Sequence, residues 1–152
     1  MKNILKILPE IIKEEILKYN CTENITEIRL RNSKYMYIYY GIKEVKTNIK
    51  IEKQHLITIL KNVSLNSIYS VQQDLNNGYI TIAGGHRIGV VGECILQDSK
   101  IINIKNIYSL NIRVAKEYIG ISDSIINKIN VNKKKLLNTL IISPPLCGKQ
   151  HF

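Results

Sequence analysis

The chain has 152 residues, 45% of them apolar, with 22 Lys and Arg against 12 Asp and Glu for a formal charge of +10. That length accommodates one ordinary domain and a short piece of a second, with enough apolar content for a core, and its apolar runs fall far short of the about 20 residues a membrane-spanning helix requires. Three widely spaced cysteines, Cys21, Cys94 and Cys147, include no CxxC pair, which argues against a disulfide framework or a zinc site and predicts buried or half-buried thiols.

In chain order, Leu5, Leu8, Ile12, Ile16 and Tyr19 recur at helical spacing and predict an amphipathic helix from Leu5 to Tyr19, with Pro9 early enough to be tolerated. Pro9 and Glu10 also interrupt the N-terminus before a signal-like apolar region forms, so the expected compartment is the cytoplasm. Ile25 to Arg31 alternates with period two, and Tyr35 to Tyr40 is aromatic and β-rich, which predicts two strands, with a third short one from Ile42 to Val45 after Gly41. Glu52 to Val63 is helical in spacing, and Ile68 to Leu75 predicts another helix capped by Asn77-Gly78. Gly78 to Ala83 and Arg87 to Leu96 read as strands joined by a Gly84-Gly85-His86 turn, and after a second turn at Asp98-Ser99 the strands Ile101 to Ile104 and Ser109 to Val114 complete an antiparallel set. Ile121 to Ile129 reads as a helix, Lys133 to Lys135 as a solvated linker, and Leu136 to Ile142 as one continuous apolar strand of the kind found in a parallel sheet.

The fold expected is therefore α+β: an antiparallel sheet with flanking helices over residues 1–120, a helix and linker over 121–135, and over 136–152 the first strand of an incomplete α/β phosphate-loop core. That last strand would lack neighbours and leave apolar faces exposed.

The strand Leu136 to Ile142 runs into Ser143-Pro144-Pro145-Leu146-Cys147-Gly148-Lys149. A strand followed by GxxxxGK[ST] and a helix cradles nucleotide phosphates: backbone N–H groups surround them, the Lys reaches the terminal ones, and the final hydroxyl holds Mg²⁺. Gly148 and Lys149 match, Ser143 stands where the first Gly is usual, and Gln150 replaces the Ser or Thr. A carboxamide is a poor Mg²⁺ ligand, so this chain is not expected to hydrolyse a nucleotide.

Together with this loop, Leu8-Pro9, Glu27-Ile28-Arg29-Leu30-Arg31, Tyr69-Ser70, the segment Gly78 to Gly92 and Ser109-Leu110-Asn111-Ile112-Arg113-Val114-Ala115 make the chain resemble the N-terminal domain of the stage III sporulation protein AA family. The resemblance implies a cytoplasmic, secretion-type ATPase of spore-forming Firmicutes. Such a protein would use ATP and Mg²⁺ in the mother cell, self-associate into a ring and dock on membrane components of the sporulation channel. Family members continue past the loop Lys with Thr-Thr, an apolar residue or two and Arg-Asp, whereas this chain reads Gln150-His151-Phe152. Removing one A from GGA AAA ACA ACA TTT TTA gives Gly-Lys-Gln-His-Phe and then a stop if the next base is A or G. The expectation is a frameshift or a sequencing error in an A-run that truncates the protein at its phosphate loop, with a Thr-Thr continuation in another frame of the DNA.

Ile, Lys and Asn are abundant as in an AT-rich coding sequence, so the charge alone is weak grounds for a nucleic-acid partner. The same bias makes the four arginines, Arg29, Arg31, Arg87 and Arg113 against eighteen lysines, conspicuous as candidates for bidentate chemistry that Lys cannot supply. By resemblance to secretion ATPases, Arg87 and Arg113 would face nucleotide in the intact protein, while in this fragment, for which no cofactor is expected, that role would have nothing to act on; otherwise each would pair with a carboxylate such as Glu93, Asp98 or Glu117, or face solvent. Arg29 and Arg31 alternate with Ile28 and Leu30 and should project together from one face of a strand, a solvated face in preference to an interdomain or subunit contact. His86 reads as a turn residue rather than a ligand, and Gly89-Val90-Val91-Gly92 lacks the basic residues of a nucleic-acid clamp. The tyrosines of Tyr35 to Tyr40 could stack bases, but packing on the core accounts for them without a ligand. No residue is assigned a catalytic or metal-binding role. The alternatives to the ATPase reading are a small basic nucleic-acid-binding module and a non-catalytic adaptor docked to the sporulation channel.

Overall fold

A computed structural model describes residues 1–19, 22–65, 74, 78–98, 100–116, 120, 123–131, 135–140 and 142. The expected helix from Ile68 to its Asn77 cap lies outside these residues apart from Asp74, as do Cys21, Cys147 and the loop residues Gly148, Lys149 and Gln150. The chain divides into two compact units, Met1–Ala115 and Lys116–Phe152.

In the first unit, helices α1 (Lys2–Ile7) and α2 (Glu10–Leu17) precede a 3-10 turn at Thr22–Asn24 and strands β1 (Glu27–Arg31), β2 (Tyr35–Tyr40) and β3 (Lys43–Lys50). Helix α3 (Lys53–Leu65) follows, then β4 (Tyr79–Ile82), β5 (His86–Gln97) and β6 (Lys100–Arg113). The six strands form one sheet in the order β3-β2-β1-β6-β5-β4, and all five pairings are antiparallel. The architecture is α+β, as the sequence pattern implies.

Period-two alternation sends one set of side chains into the core and the other outward. Across the sheet, Ile80, Ile88, Ile112, Ile28, Ile38 and Val45 are successive cross-strand partners. The first five are wholly buried. They join Ile4 and Ile7 of α1, Ile12 and Ile16 of α2, and Leu56, Ile59 and Val63 of α3 in one apolar cluster. Burial of each such side chain is worth about 1.5–3 kcal/mol, so this single layer of helices on one sheet face supplies the main stabilisation of the unit. Helix α2 is also tied to β3: the Asn48 N–H donates to Glu15 Oε1 at 3.2 Å, and Lys18 Nζ donates to Glu15 Oε2 at 2.8 Å.

Several local expectations are corrected. The first helix is two helices, because Leu8 turns extended at φ −82°, ψ 144°; a residue before proline is pushed out of the helical region. The short strand after Gly41 extends to Lys50. The last two antiparallel strands are one, β6, because Asn106 at φ 45° absorbs a register shift without ending the ladder. The hairpin loop is Ala83-Gly84-Gly85, with both glycines at positive φ and His86 already in β5. Cys94 is exposed, because β5 and β6 run on as a two-stranded arm past the ends of their neighbours.

The second unit contains α4 (Asp123–Ile129) and a small antiparallel pair, β7 (Asn130–Val131) with β8 (Lys135–Leu136). The strand expected over Leu136 to Ile142 is regular only at its start, since residues 137–140 and 142 carry no regular structure. An apolar segment becomes a strand only beside a hydrogen-bonding neighbour, and among the described residues that neighbour is Asn130–Val131. Leu140 and Ile142 are 82% and 84% exposed.

Candidate functional site

The sheet face opposite the helices gathers all four arginines of the chain. Alternation puts Arg29 and Arg31 of β1, Arg87 of β5 and Arg113 of β6 on the side away from Ile28, Leu30, Ile88 and Ile112. Pairing register then assembles them into rows. Thr81, Arg87, Arg113, Glu27, Tyr39 and Glu44 are successive cross-strand partners, and so are Tyr79, Gly89, Asn111, Arg29, Tyr37 and Lys46 in the next row.

Arg87 and Arg113 stand directly opposite each other. In antiparallel sheets such partners have Cβ atoms about 4.5–5.5 Å apart, and like charges there repel. Neither forms an ion pair with Glu93 or Asp98, two of the carboxylates expected from the sequence. Arg113 Nε lies 3.7 Å from Glu27 Oε2, with 74% of its side chain exposed. Arg87 makes no ion pair among the described residues; its guanidinium carbon stands 5.1 Å from the centre of the Tyr79 ring. Glu93 instead accepts from the Tyr108 hydroxyl and from Asn106 Nδ2 at 2.7 Å, bonds that hold its carboxyl below the usual range. Glu117 lies outside the described residues.

Glu27 also accepts from Arg29 Nε, so one carboxylate serves two guanidinium groups. Arg29 Nη1 donates to the Tyr39 hydroxyl at 2.9 Å, and that hydroxyl donates to Glu44, whose carboxylate raises the phenol's pKa. Three of the four tyrosines of β2 do not pack on the core as expected: Met36, Ile38 and Tyr40 occupy that side, while Tyr35, Tyr37 and Tyr39 lie on the arginine face. A tyrosine's apolar ring and polar tip suit either face. Cations sit over two of these rings, Arg29 over Tyr39 at 4.3 Å and Lys46 over Tyr35 at 4.2 Å.

His86 belongs to the opposite side. It is buried, and its Nδ1 accepts from the Ala115 N–H at 3.0 Å. Burial, and secondarily the N-terminal charge, push its pKa down. The Gly89-Val90-Val91-Gly92 segment is strand rather than loop. Sequence reasoning missed Glu27, Gly89 and Asn111, which enter the site through pairing register alone.

The whole chain, residues 1–152, matches the profile of the family described as Sporulation stage III, protein AA. It is 33% identical over 152 residues to the Stage III sporulation protein AA of Bacillus subtilis strain 168, over 98% of this chain and 48% of that protein. It is 29% identical over 154 residues to the uncharacterized protein ycf45 of Cyanidium caldarium, over 100% of this chain and 40% of that protein. The chain thus spans about half the length, or less, of these curated relatives. Among solved structures it is similar to the VirB11 ATPase of the Brucella suis type IV secretion system, with a TM-score of 0.44 and 13% identity over 86% of this chain and 38% of that one. It is also similar to the Legionella pneumophila ATPase DotB, with a TM-score of 0.39 and 13% identity over 78% of this chain and 34% of that one. No described helix is long and apolar enough to cross a membrane. The chain belongs to the sporulation stage III protein AA family.

Proposed function

We propose that this chain supplies the arginine-bearing sheet of a nucleotide-hydrolysing sporulation protein, and that Arg87 and Arg113 face the polyphosphate of ATP. The observation that carries the reading is the direct opposition of these two guanidinium groups on a sheet face that the helices leave uncovered. An anion lying between them would convert repulsion into two charge-assisted contacts. The donors fit a polyphosphate. They would not hold Mg²⁺ themselves, because a guanidinium group is a cationic donor with no lone pair to offer a metal ion.

Gly148 and Lys149 would belong to the phosphate loop of the ATPase unit that begins near residue 136. Gln150 offers no hydroxyl where that loop uses one for Mg²⁺, so this chain binds nucleotide without turning it over. What it keeps is docking: self-association into a ring and contact with membrane components of the sporulation channel, in the mother-cell cytoplasm. A nucleic-acid partner is disfavoured because cations already cover ring faces of Tyr35, Tyr39 and Tyr79 that a stacking base would need.

Calorimetric titration of ATP into the 152-residue chain tests the reading. Arg87→Ala and Arg113→Ala should each weaken binding about tenfold; unchanged affinity in both variants would refute it.

A further inference from the structure

At the β4 edge of the sheet, helices α1 and α3 and the end of β4 enclose a cavity of about 370 Å³. Ile7 of α1, Val63 of α3 and Ile82 of β4 line it with apolar surface, the first two buried and the third packed against the core cluster. Its walls are tied to one another. Asn3 Nδ2 donates to the Ala83 carbonyl at 3.0 Å, which fixes α1 to the hairpin loop, and Asn62 Nδ2 donates to the Ile7 carbonyl at 3.0 Å, which fixes α3 to α1. The space is therefore preformed, as small-molecule sites usually are.

Lys6 is the one charged side chain among the described residues that line the cavity, and it makes no ion pair among the described residues. The carboxylate of Asp74 does not neutralise it, since it accepts from the N–H of Thr81, at the cavity edge, at 3.0 Å. The cavity therefore offers an apolar chamber with one uncompensated cation at its rim. Isoleucine and valine give water few hydrogen-bonding partners there, whereas an aliphatic ligand loses nothing by entering. At about 30 Å³ for each water-sized share, the volume holds about twelve non-hydrogen atoms.

We infer that this cavity binds a medium-chain aliphatic carboxylate, its chain over Ile7, Val63 and Ile82 and its negative end against the Lys6 ammonium. The size of the chamber sets the chain length and the single cation sets the charge. A triphosphate would bring several negative charges to one ammonium and a polar body to an apolar lining, so this is not a second nucleotide site. The inference stands apart from the nucleotide reading of the arginine face and survives its failure.

The test is titration of the 152-residue chain with sodium hexanoate, octanoate, decanoate and dodecanoate and with neutral octanol, followed by methyl NMR. Octanoate should shift the methyls of Ile7, Val63 and Ile82 saturably. Binding should tighten about tenfold from hexanoate to octanoate, because two more methylenes leave water, and the gain should end near decanoate, which fills the space. Octanoate should bind about two- to fivefold more tightly than octanol, the effect of an ion pair at an exposed rim. Lys6→Gln should remove that preference and leave octanol binding unchanged; Lys6 is exposed, so its replacement spares the core. Ala83→Leu, which narrows the mouth from the loop, should weaken both ligands, and circular dichroism verifies the fold of each variant. Unsaturable shifts spread over exposed methyls such as those of Ile11 and Leu17 would mean adventitious coating of apolar surface and would overturn the inference. So would equal affinity across the chain lengths, or a preference for octanoate that persists in Lys6→Gln.

Discussion

Arg113 shares the carboxylate of Glu27 with Arg29, while Arg87, directly across the ladder from Arg113, makes no ion pair among the described residues. The Glu27 side chain is only 16% exposed, and Arg113 is held loosely at 3.7 Å. Arg29 can therefore neutralise Glu27 while Arg113 is drawn toward another anion. The arrangement makes Glu27 a counter-charge that competes with a ligand for Arg113.

Glu27→Gln should accordingly strengthen ATP binding about two- to fivefold in dilute buffer, because one competing charge near the exposed guanidinium is removed. The gain should shrink as salt is raised, since pairs on an open sheet face are screened. Titrations at low and high salt measure it; weaker binding by Glu27→Gln at low salt would mean that Glu27 orients the arginine instead.

Gly92 occupies the point where the register of β5 and β6 slips, between the Val91–Ser109 and Glu93–Lys105 partners. One of the atoms 2.6 Å from an added Cβ is a backbone carbonyl, which cannot rotate aside. Gly92→Ala should cost about 1–3 kcal/mol of overpacking strain. Thermal or urea unfolding measures the loss; a variant as stable as wild type would show that the arm shifts freely.

His86 has a pKa held below its ordinary value by burial. With the folded value depressed, its contribution to stability is fully present above the unfolded imidazole value of about 6.5 and is lost as pH falls toward the folded value. The unfolded chain binds a proton in that interval and the folded chain does not. His86→Asn keeps an acceptor for the Ala115 N–H but cannot titrate. Below about pH 6.5, the wild-type midpoint in urea should fall more steeply with pH than that of the variant. Parallel pH profiles would contradict the assignment.

Much of the sheet is legible in sequence because its alternation is chemically clean. Ile28-Arg29-Leu30-Arg31 leaves one choice of face, and Tyr35 to Tyr40 emerges with the expected bounds. Which way the tyrosines point is not legible in the same manner. In Tyr35-Met36-Tyr37-Ile38-Tyr39 both faces are apolar enough to be core, and the partners across the ladder decide. The site shows the same division. Arg87 and Arg113 stand out as arginines in a lysine-rich chain, but their opposition, the bridging role of Glu27 and the place of Asn111 beside Gly89 depend on register, a property of pairs of strands. Bulges add to this: nothing in Lys105-Asn106 distinguishes a strand end from a left-handed residue within one continuous strand.

Side-chain Nε–Hε resonances of the four arginines, followed by NMR as ATP is added to the 152-residue chain, test the central claim most directly. The account predicts saturable shifts of Arg87 and Arg113, with smaller changes at Arg29, which stays with Glu27. Shifts confined to Arg29 and Arg31, or no arginine shift at ATP concentrations that saturate binding, would contradict it.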